Sequence, residues 1–504
     1  MQRYIRKILE ARVYDVAEQT PLSEARGLSE RLHNHVLLKR EDEQPVFSFK
    51  IRGAYNRMVQ LTDEEKARGV ITASAGNHAQ GVAFSARHLG IKATIVMPKT
   101  TPSVKVDNVR RMGGRAVLHG DAFDDARKHA AKLMEEKGLT YIPPYDDMEV
   151  IAGQGTVGME ILRQHTGPID AIFVPVGGGG LIAGVAAYVK YLRPETKVIG
   201  VEFNESACLA LAMKEGHRAV LDTVGIFADG VAVAQIGEHT WDICKDHVDE
   251  VITVGVDEIC AAVKDIYDDT RSISEPAGAL AVAGLKAYVE REQCTEQTLI
   301  AINSGANVNF DRLRHIAERS ELGEKREMLI AAQIPERPGA FKNFCKVLGN
   351  RNITEFNYRY ADSQAAIVFA GVQVNPDNGG RAELMAELEQ ELDKVEDLTD
   401  NEMAKVHVRY MVGGHKPAQV EHELLYRFEF PERPGALMKF LNKLGGRWNI
   451  SMFHYRNHGA AYGRVLVGME VPPEDREKVN HYLDELGYTW FDETQNPAYT
   501  LFLG

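Results

Sequence analysis

Ala171-Ile172-Phe173-Val174-Pro175-Val176-Gly177-Gly178-Gly179-Gly180-Leu181-Ile182-Ala183-Gly184-Val185 runs from an unbroken apolar stretch through four glycines into a helix-like pattern. The apolar stretch has strand length and no polar face, which predicts a strand buried on both sides. The same texture, a short β-branched run followed by Gly, Pro or Ser and then a helical pattern, recurs at 92–97, 197–201 and 298–303. Strands alternating with helices from about residue 30 to about residue 315 predict an α/β unit built on parallel sheets. Ligands of such folds sit beyond the carboxyl ends of the strands, where this chain collects its glycines and small polar residues.

The rest of the composition bounds the possibilities. A chain of 504 residues is long enough for roughly two to four domains, each with its own core. With 59 Lys and Arg against 72 Asp and Glu, the net charge of -13 argues against a nucleic-acid partner. Cys208, Cys244, Cys260, Cys294 and Cys345 are scattered and form no CxxC pair, so neither a disulfide framework nor a metal site is expected, and a reducing cytoplasm is. The opening segment Met1-Gln2-Arg3-Tyr4-Ile5-Arg6-Lys7-Ile8 lacks the apolar core of a signal peptide, and no apolar run reaches membrane-spanning length.

Four short segments carry chemistry. Gly177 to Gly180 offer side-chain-free backbone N–H groups at a helix start, where a phosphate can be held; a tight strand-to-helix turn is the plainer reading. In Ser48-Phe49-Lys50-Ile51, Phe49 and Ile51 desolvate the Lys50 amine and favour its neutral, nucleophilic form, although a lysine beside a phenylalanine is commonly a surface residue. Ser74-Ala75-Gly76-Asn77-His78 forms a small polar junction after a strand, able to receive a carboxylate or simply to cap a helix. Asn303-Ser304-Gly305-Ala306-Asn307 places the Ser304 hydroxyl after another strand, as a partner for a ring nitrogen or as part of a Ser-Gly turn. A lysine amine together with a phosphate cradle suits an aldehyde cofactor that bears a phosphate, which points to pyridoxal phosphate.

Beyond residue 320 the pattern changes. The polar segment Glu321-Leu322-Gly323-Glu324-Lys325-Arg326 reads as a linker, and a duplication follows it. Pro335-Glu336-Arg337-Pro338-Gly339-Ala340-Phe341 returns as Pro431-Glu432-Arg433-Pro434-Gly435-Ala436-Leu437, and Ile353 to Arg359 returns as Ile450 to Arg456. Two copies are too few for a solenoid, so each is read as a small α+β module. The expected organisation is a catalytic domain at 1–320, a linker at 321–327, modules at 328–410 and 423–504, and a second linker at 411–422 between them.

The order Ser48-Phe49-Lys50, Ser74 to His78, Gly177 to Gly180 and Ser304-Gly305 resembles the fold-type-II pyridoxal-phosphate enzymes. With Thr20-Pro21-Leu22, Leu38 to Glu41, Asp229-Gly230 and the tandem modules, nearly the whole chain resembles the biosynthetic threonine dehydratases. That resemblance implies Lys50 as the Schiff-base lysine that also moves the Cα proton, and Gly177, Gly178, Gly179 and Gly180 as the phosphate loop. It implies Phe49, Asn77 and Ser304 as further cofactor contacts, Asn77 at the ring hydroxyl and Ser304 at the ring nitrogen. Ser74, Gly76, Asn77 and His78 would receive the substrate carboxylate. Ala75 stands where related serine racemases carry a serine base, which favours elimination over racemisation. The implied reaction converts L-threonine, with L-serine as an alternative substrate, to a 2-oxo acid and ammonia in a homotetramer. The modules resemble ACT-like sensors, implying inhibition by isoleucine and activation by valine, with Tyr358 and Tyr455 as effector contacts or as packing between modules. Two rivals are another β-elimination or β-replacement enzyme of the superfamily and a catalytically silent amino-acid sensor.

Overall fold

The computed structural model describes residues 2–499 apart from 102, 122, 336, 338, 360–364, 376–378, 407, 411–419, 432–437, 439, 443–447, 457–461, 497 and 498. The second Pro-Glu-Arg-Pro-Gly-Ala motif after Pro431, Glu336 and Pro338 of the first, and most of the linker expected at 411–422 lie outside the described residues. The chain divides into two compact units, Met1–Gly323 and Glu324–Gly504.

The first unit holds two parallel sheets. The larger has six strands in the order Leu22–Glu24, His35–Arg40, Thr298–Asn303, Ala171–Pro175, Lys197–Phe203 and Glu250–Val254, antiparallel only at the first pair. The smaller runs Arg115–Leu118, Ala93–Met97, Val70–Ala73 and Thr140–Tyr141, all parallel. Ala171–Pro175 is buried along its whole length, as its composition predicts. Ala171 and Phe173 enter the core on one face of the sheet, while Ile172 and Val174 enter the core on the other. Side chains alternating across a strand make an all-apolar run necessary when both faces are covered.

Lys50 opens the helix Lys50–Val59, and two features hold that helix in place. At Gly153, in the helix Met148–Gln164, an added Cβ would stand 2.6 Å from the Arg52 carbonyl oxygen, so only glycine permits this approach. Arg52 is fully buried between two carboxylates, 2.8 Å from Glu41 and 2.6 Å from Glu160, and Glu160 also pairs with the buried Lys39 at 2.5 Å. The two cations and two anions come from a strand, the turn after it and two helices, so the Lys50 helix is tied to the sheet by charge as well as by packing. Breaking one partner of such a buried set leaves an uncompensated charge.

The second unit is one eight-stranded antiparallel sheet made by the two copies side by side. The copies meet where Ile353–Arg359 pairs with Asn449–Arg456, setting Phe356 opposite Tyr455 and Tyr358 opposite Phe453. The first copy packs the helices Ala340–Leu348 and Gly380–Glu391 against it, and the second copy the helix Arg476–Leu486. A single apolar core draws on both copies. The polar stretch expected as a linker at 321–327 is shorter than that expectation. Glu321 lies in the last turn of the helix Leu313–Gly323, where its carboxylate pairs with Lys264, and Glu327 already begins the strand Glu327–Pro335.

Candidate active site

The predicted segments of the first unit converge at the carboxyl ends of its strands. The Phe49 N–H donates to the Ser304 carbonyl at 3.2 Å, and Ser48 bridges Gly305, which joins the lysine segment to the serine segment. The Glu275 N–H donates to the Gly305 carbonyl at 3.1 Å. The Glu275 carboxylate in turn accepts from Asn77 Nδ2 at 2.5 Å. On the other side the Lys50 amine donates to the Pro144 carbonyl at 3.1 Å, and the next residue, Tyr145, lies directly against Gly178 and Gly180. Lys50, the glycine loop, Asn77 and Ser304 are therefore joined by a chain of direct contacts into one site. Tyr358 and Tyr455 belong to the second unit.

The glycine loop is built to present donors. The Gly178 carbonyl accepts from the Thr240 hydroxyl at 2.8 Å, and the Gly177 carbonyl accepts from the Cys208 thiol at 3.3 Å. Peptide C=O and N–H groups point in opposite directions, so anchoring those carbonyls to the scaffold turns the following N–H groups away from it. Among the described residues none of the N–H groups of Gly177 to Gly180 has an acceptor. Gly179 has φ +91° and opens the helix Gly180–Leu192, whose dipole adds positive potential at the same place. A Cβ on Gly178 would lie 2.3 Å from the Tyr145 ring. Four N–H groups without an acceptor at a helix start, those of Gly178 and Gly179 turned outward, form a cradle for a phosphate.

Lys50 is desolvated. Burial lowers its amine to about 8, with Glu275 pulling in the opposite direction. Its Nζ stands 5.1 Å from the centre of the Phe49 ring. A lysine with a lowered pKa supplies neutral amine near physiological pH, which Schiff-base chemistry requires. The amine and the cradle together fit pyridoxal phosphate.

The remaining predicted residues have particular surroundings. Ser304 is buried and its hydroxyl has one distant acceptor, the Ala277 carbonyl at 3.5 Å. The Ser74 hydroxyl accepts from the Gly76 N–H at 3.3 Å, closing the turn ahead of the helix Asn77–Leu89. His78 donates from Nε2 to the Ile142 carbonyl at 2.9 Å. Burial, and then Lys50, push its pKa down to about 3, so the ring is neutral and binds no carboxylate as a cation. In the second unit Tyr358 and Tyr455 both belong to the apolar core, Tyr455 across from Phe356, and Tyr358 also borders a cleft with Arg337, Phe341, Trp448 and Asn449.

Two site residues escaped the reading of the sequence. Tyr145 walls the glycine loop. Glu275 is a buried carboxyl that burial and then Asp229 raise to about 7, with Asn77, Lys105 and Lys50 acting against them. Glu275 precedes Pro276 at the start of the helix Pro276–Glu292, and in sequence it reads as an ordinary helix start. A carboxyl ahead of Pro in the strand-and-turn region of the other motifs was the only available signal.

Twin parallel sheets carrying a desolvated lysine opposite a glycine cradle define a pyridoxal-phosphate dependent enzyme, and the family model of that description matches residues 13–305. The model described as the C-terminal regulatory domain of threonine dehydratase matches twice, at 318–408 and 414–503. The biosynthetic L-threonine dehydratase of Burkholderia multivorans is 58% identical, with 99% of each chain covered. The one from Escherichia coli is 53% identical over 99% of this chain and 97% of its own. The solved structure of processed threonine deaminase isoform 2 from Solanum lycopersicum is similar at TM-score 0.62 and 52% identity, covering 63% of this chain and 92% of that one. The chain belongs to the biosynthetic threonine dehydratase family. Among the described residues no helix is long and apolar enough to cross a membrane.

Proposed function

We propose that this chain is a threonine ammonia-lyase that converts L-threonine to 2-oxobutanoate and ammonia by β-elimination, the entry step of isoleucine biosynthesis, and turns over L-serine as a second substrate. The observation that carries this reading is the placing of the desolvated Lys50 amine and the open N–H groups of Gly177 to Gly180 in one site. The names borne by relatives of matching length support the choice of threonine.

Pyridoxal phosphate, when bound, supplies the electron sink that stabilises charge at the substrate Cα. The backbone of Gly177 to Gly180 holds its phosphate, and Phe49, Asn77 and Ser304 hold the ring. With the cofactor bound, Lys50 would be the group that accepts the Cα proton, a task suited to an amine lowered to about 8. Ser304 is a neutral hydroxyl rather than a carboxylate, so it does not fix a full positive charge on a ring nitrogen, and loss of the β-hydroxyl is favoured. Ser74, Gly76, Asn77 and His78 shape the carboxylate pocket, with backbone N–H groups rather than a charged imidazole receiving the anion. Ala75 offers no base on the opposite face.

The second unit serves as an isoleucine-inhibited, valine-activated regulatory domain of a homotetrameric, cytoplasmic enzyme, with Tyr358 and Tyr455 as effector contacts. Tyr358 is the better placed, since it borders a cleft. Threonine turnover with and without isoleucine tests both halves of the reading. Formation of 2-oxobutanoate, suppressed by isoleucine in the full chain and insensitive to it in residues 1–323, is expected. Absence of turnover refutes the enzyme, and unchanged inhibition of the shortened chain refutes the regulatory role.

A further inference from the structure

Asn77 is the first residue of the helix Asn77–Leu89, and its side chain is buried. A side-chain amide can be turned end for end with little change in shape, so its surroundings must decide which end is nitrogen. Here a chain of fixed groups decides it. Asn307 Nδ2 donates to the Val46 carbonyl at 2.9 Å, which can only accept, so that end of Asn307 is its nitrogen. The same nitrogen donates to Asn77 at 2.8 Å, which makes the facing atom Oδ1. Asn77 Nδ2 then falls against Glu275 Oε1 at 2.5 Å. Turned the other way, Asn77 would set its nitrogen against the Asn307 amide nitrogen, donor against donor.

We propose that Glu275 is a positioning residue that, with Asn307 fixing the oxygen end, holds the nitrogen end of the Asn77 amide in place and so keeps an N–H of Asn77 available for the cofactor. An amide nitrogen carries two hydrogens. Glu275 accepts one, and the other has no acceptor among the described residues. Glu275 is itself held by its N–H bond to the Gly305 carbonyl at 3.1 Å and enclosed by Gly305 and Gly230, whose added Cβ atoms would meet Oε1 at 2.5 and 3.6 Å. The charged groups that face it are Lys50, Asp229 and Lys105, the last two paired with each other at 2.6 Å. The inference rests on the reading of Asn77 as a cofactor contact.

The test is the pH titration of the visible absorbance of the full-length, cofactor-loaded protein. A group hydrogen-bonded to one protonation form of a chromophore moves its midpoint, and loss of one such bond corresponds to about one pH unit. Glu275→Leu is expected to move the midpoint less in the Asn77→Ala background than it does alone, the remainder being the loss of its charge near Lys50. Glu275→Gln, which keeps an acceptor oxygen at the same reach but removes the charge that acts on Lys50, is expected to move the midpoint less than Glu275→Leu does. If Glu275→Leu yields no folded holoenzyme, Glu275→Asp, with the oxygen withdrawn by one methylene, carries the same expectation. A midpoint moved by Asn77→Ala but not by Glu275→Leu overturns the inference alone. So do full additivity of the two changes, and a Gln variant shifted as far as the Leu variant. A midpoint unmoved by Asn77→Ala overturns the reading of Asn77 together with the inference.

Discussion

Replacing Lys50 with methionine should stabilise the cofactor-free protein at neutral pH while removing its catalytic amine. The native amine lies at about 8, against 10.5 for a free lysine, with burial as the main cause. At about 1.4 kcal/mol per pH unit, holding that ammonium in the folded state costs roughly 3 kcal/mol below pH 8. Between about 8 and 10.5 the unfolded chain binds more protons than the folded one, so this penalty fades as pH rises. Methionine has similar length and no charge, but it forfeits the bond to the Pro144 carbonyl, which is worth about 1 kcal/mol. Lys50→Met should therefore be more stable by about 2 kcal/mol at pH 7, and the two proteins should converge near pH 9.5, where about 2 kcal/mol of the penalty has gone. Urea unfolding followed by Trp241 fluorescence measures this, with the second unit's Trp448 and Trp490 changed to phenylalanine so that the signal reports the first unit. A stability difference that stays flat from pH 7 to 9.5 would refute the claim that Lys50 is held desolvated.

Three further outcomes follow from particular contacts. Gly178→Ala would drive a Cβ to 2.3 Å from the Tyr145 ring, and a clash of about 1–3 kcal/mol should weaken cofactor binding by roughly 5- to 150-fold in equilibrium dialysis; unchanged affinity would count against the cradle. Arg52→Met leaves Glu41 and Glu160 short of a partner and should destabilise the first unit by about 3–5 kcal/mol, seen as a lowered urea midpoint. A midpoint equal to that of the parent would show that the charge set is not what ties the Lys50 helix. Tyr358→Phe should weaken the isoleucine response, because Tyr358 borders a cleft; a dose–response curve unchanged from the parent would count against it as an effector contact.

Much of the fold could be read locally. A strand buried on both faces must be apolar throughout, so Ala171 to Val176 announces a parallel sheet by itself, and the following glycines announce a helix start that needs open backbone. The duplicated motif exposed the modules, although not their merging into one eight-stranded sheet, which depends on the edge pairing of Ile353–Arg359 with Asn449–Arg456. What escaped was non-local. Glu275 reaches Asn77 across 198 positions, and Arg52 reaches Glu160 across 108, so no window of sequence contains either pair. Charges such as Lys39 and Arg52 look like surface residues until their partners are known. That Tyr358 borders a cleft was not legible either, since Trp448 and Asn449 of the other copy help to line it.

Borohydride reduction of the cofactor-loaded protein, followed by peptide mapping, tests most directly whether the site formed by Lys50 and the glycine loop is the cofactor site. The expected result is a pyridoxyl group on the peptide carrying Lys50, lost in Lys50→Met. A tag on another lysine, or tagging that survives Lys50→Met, would contradict it.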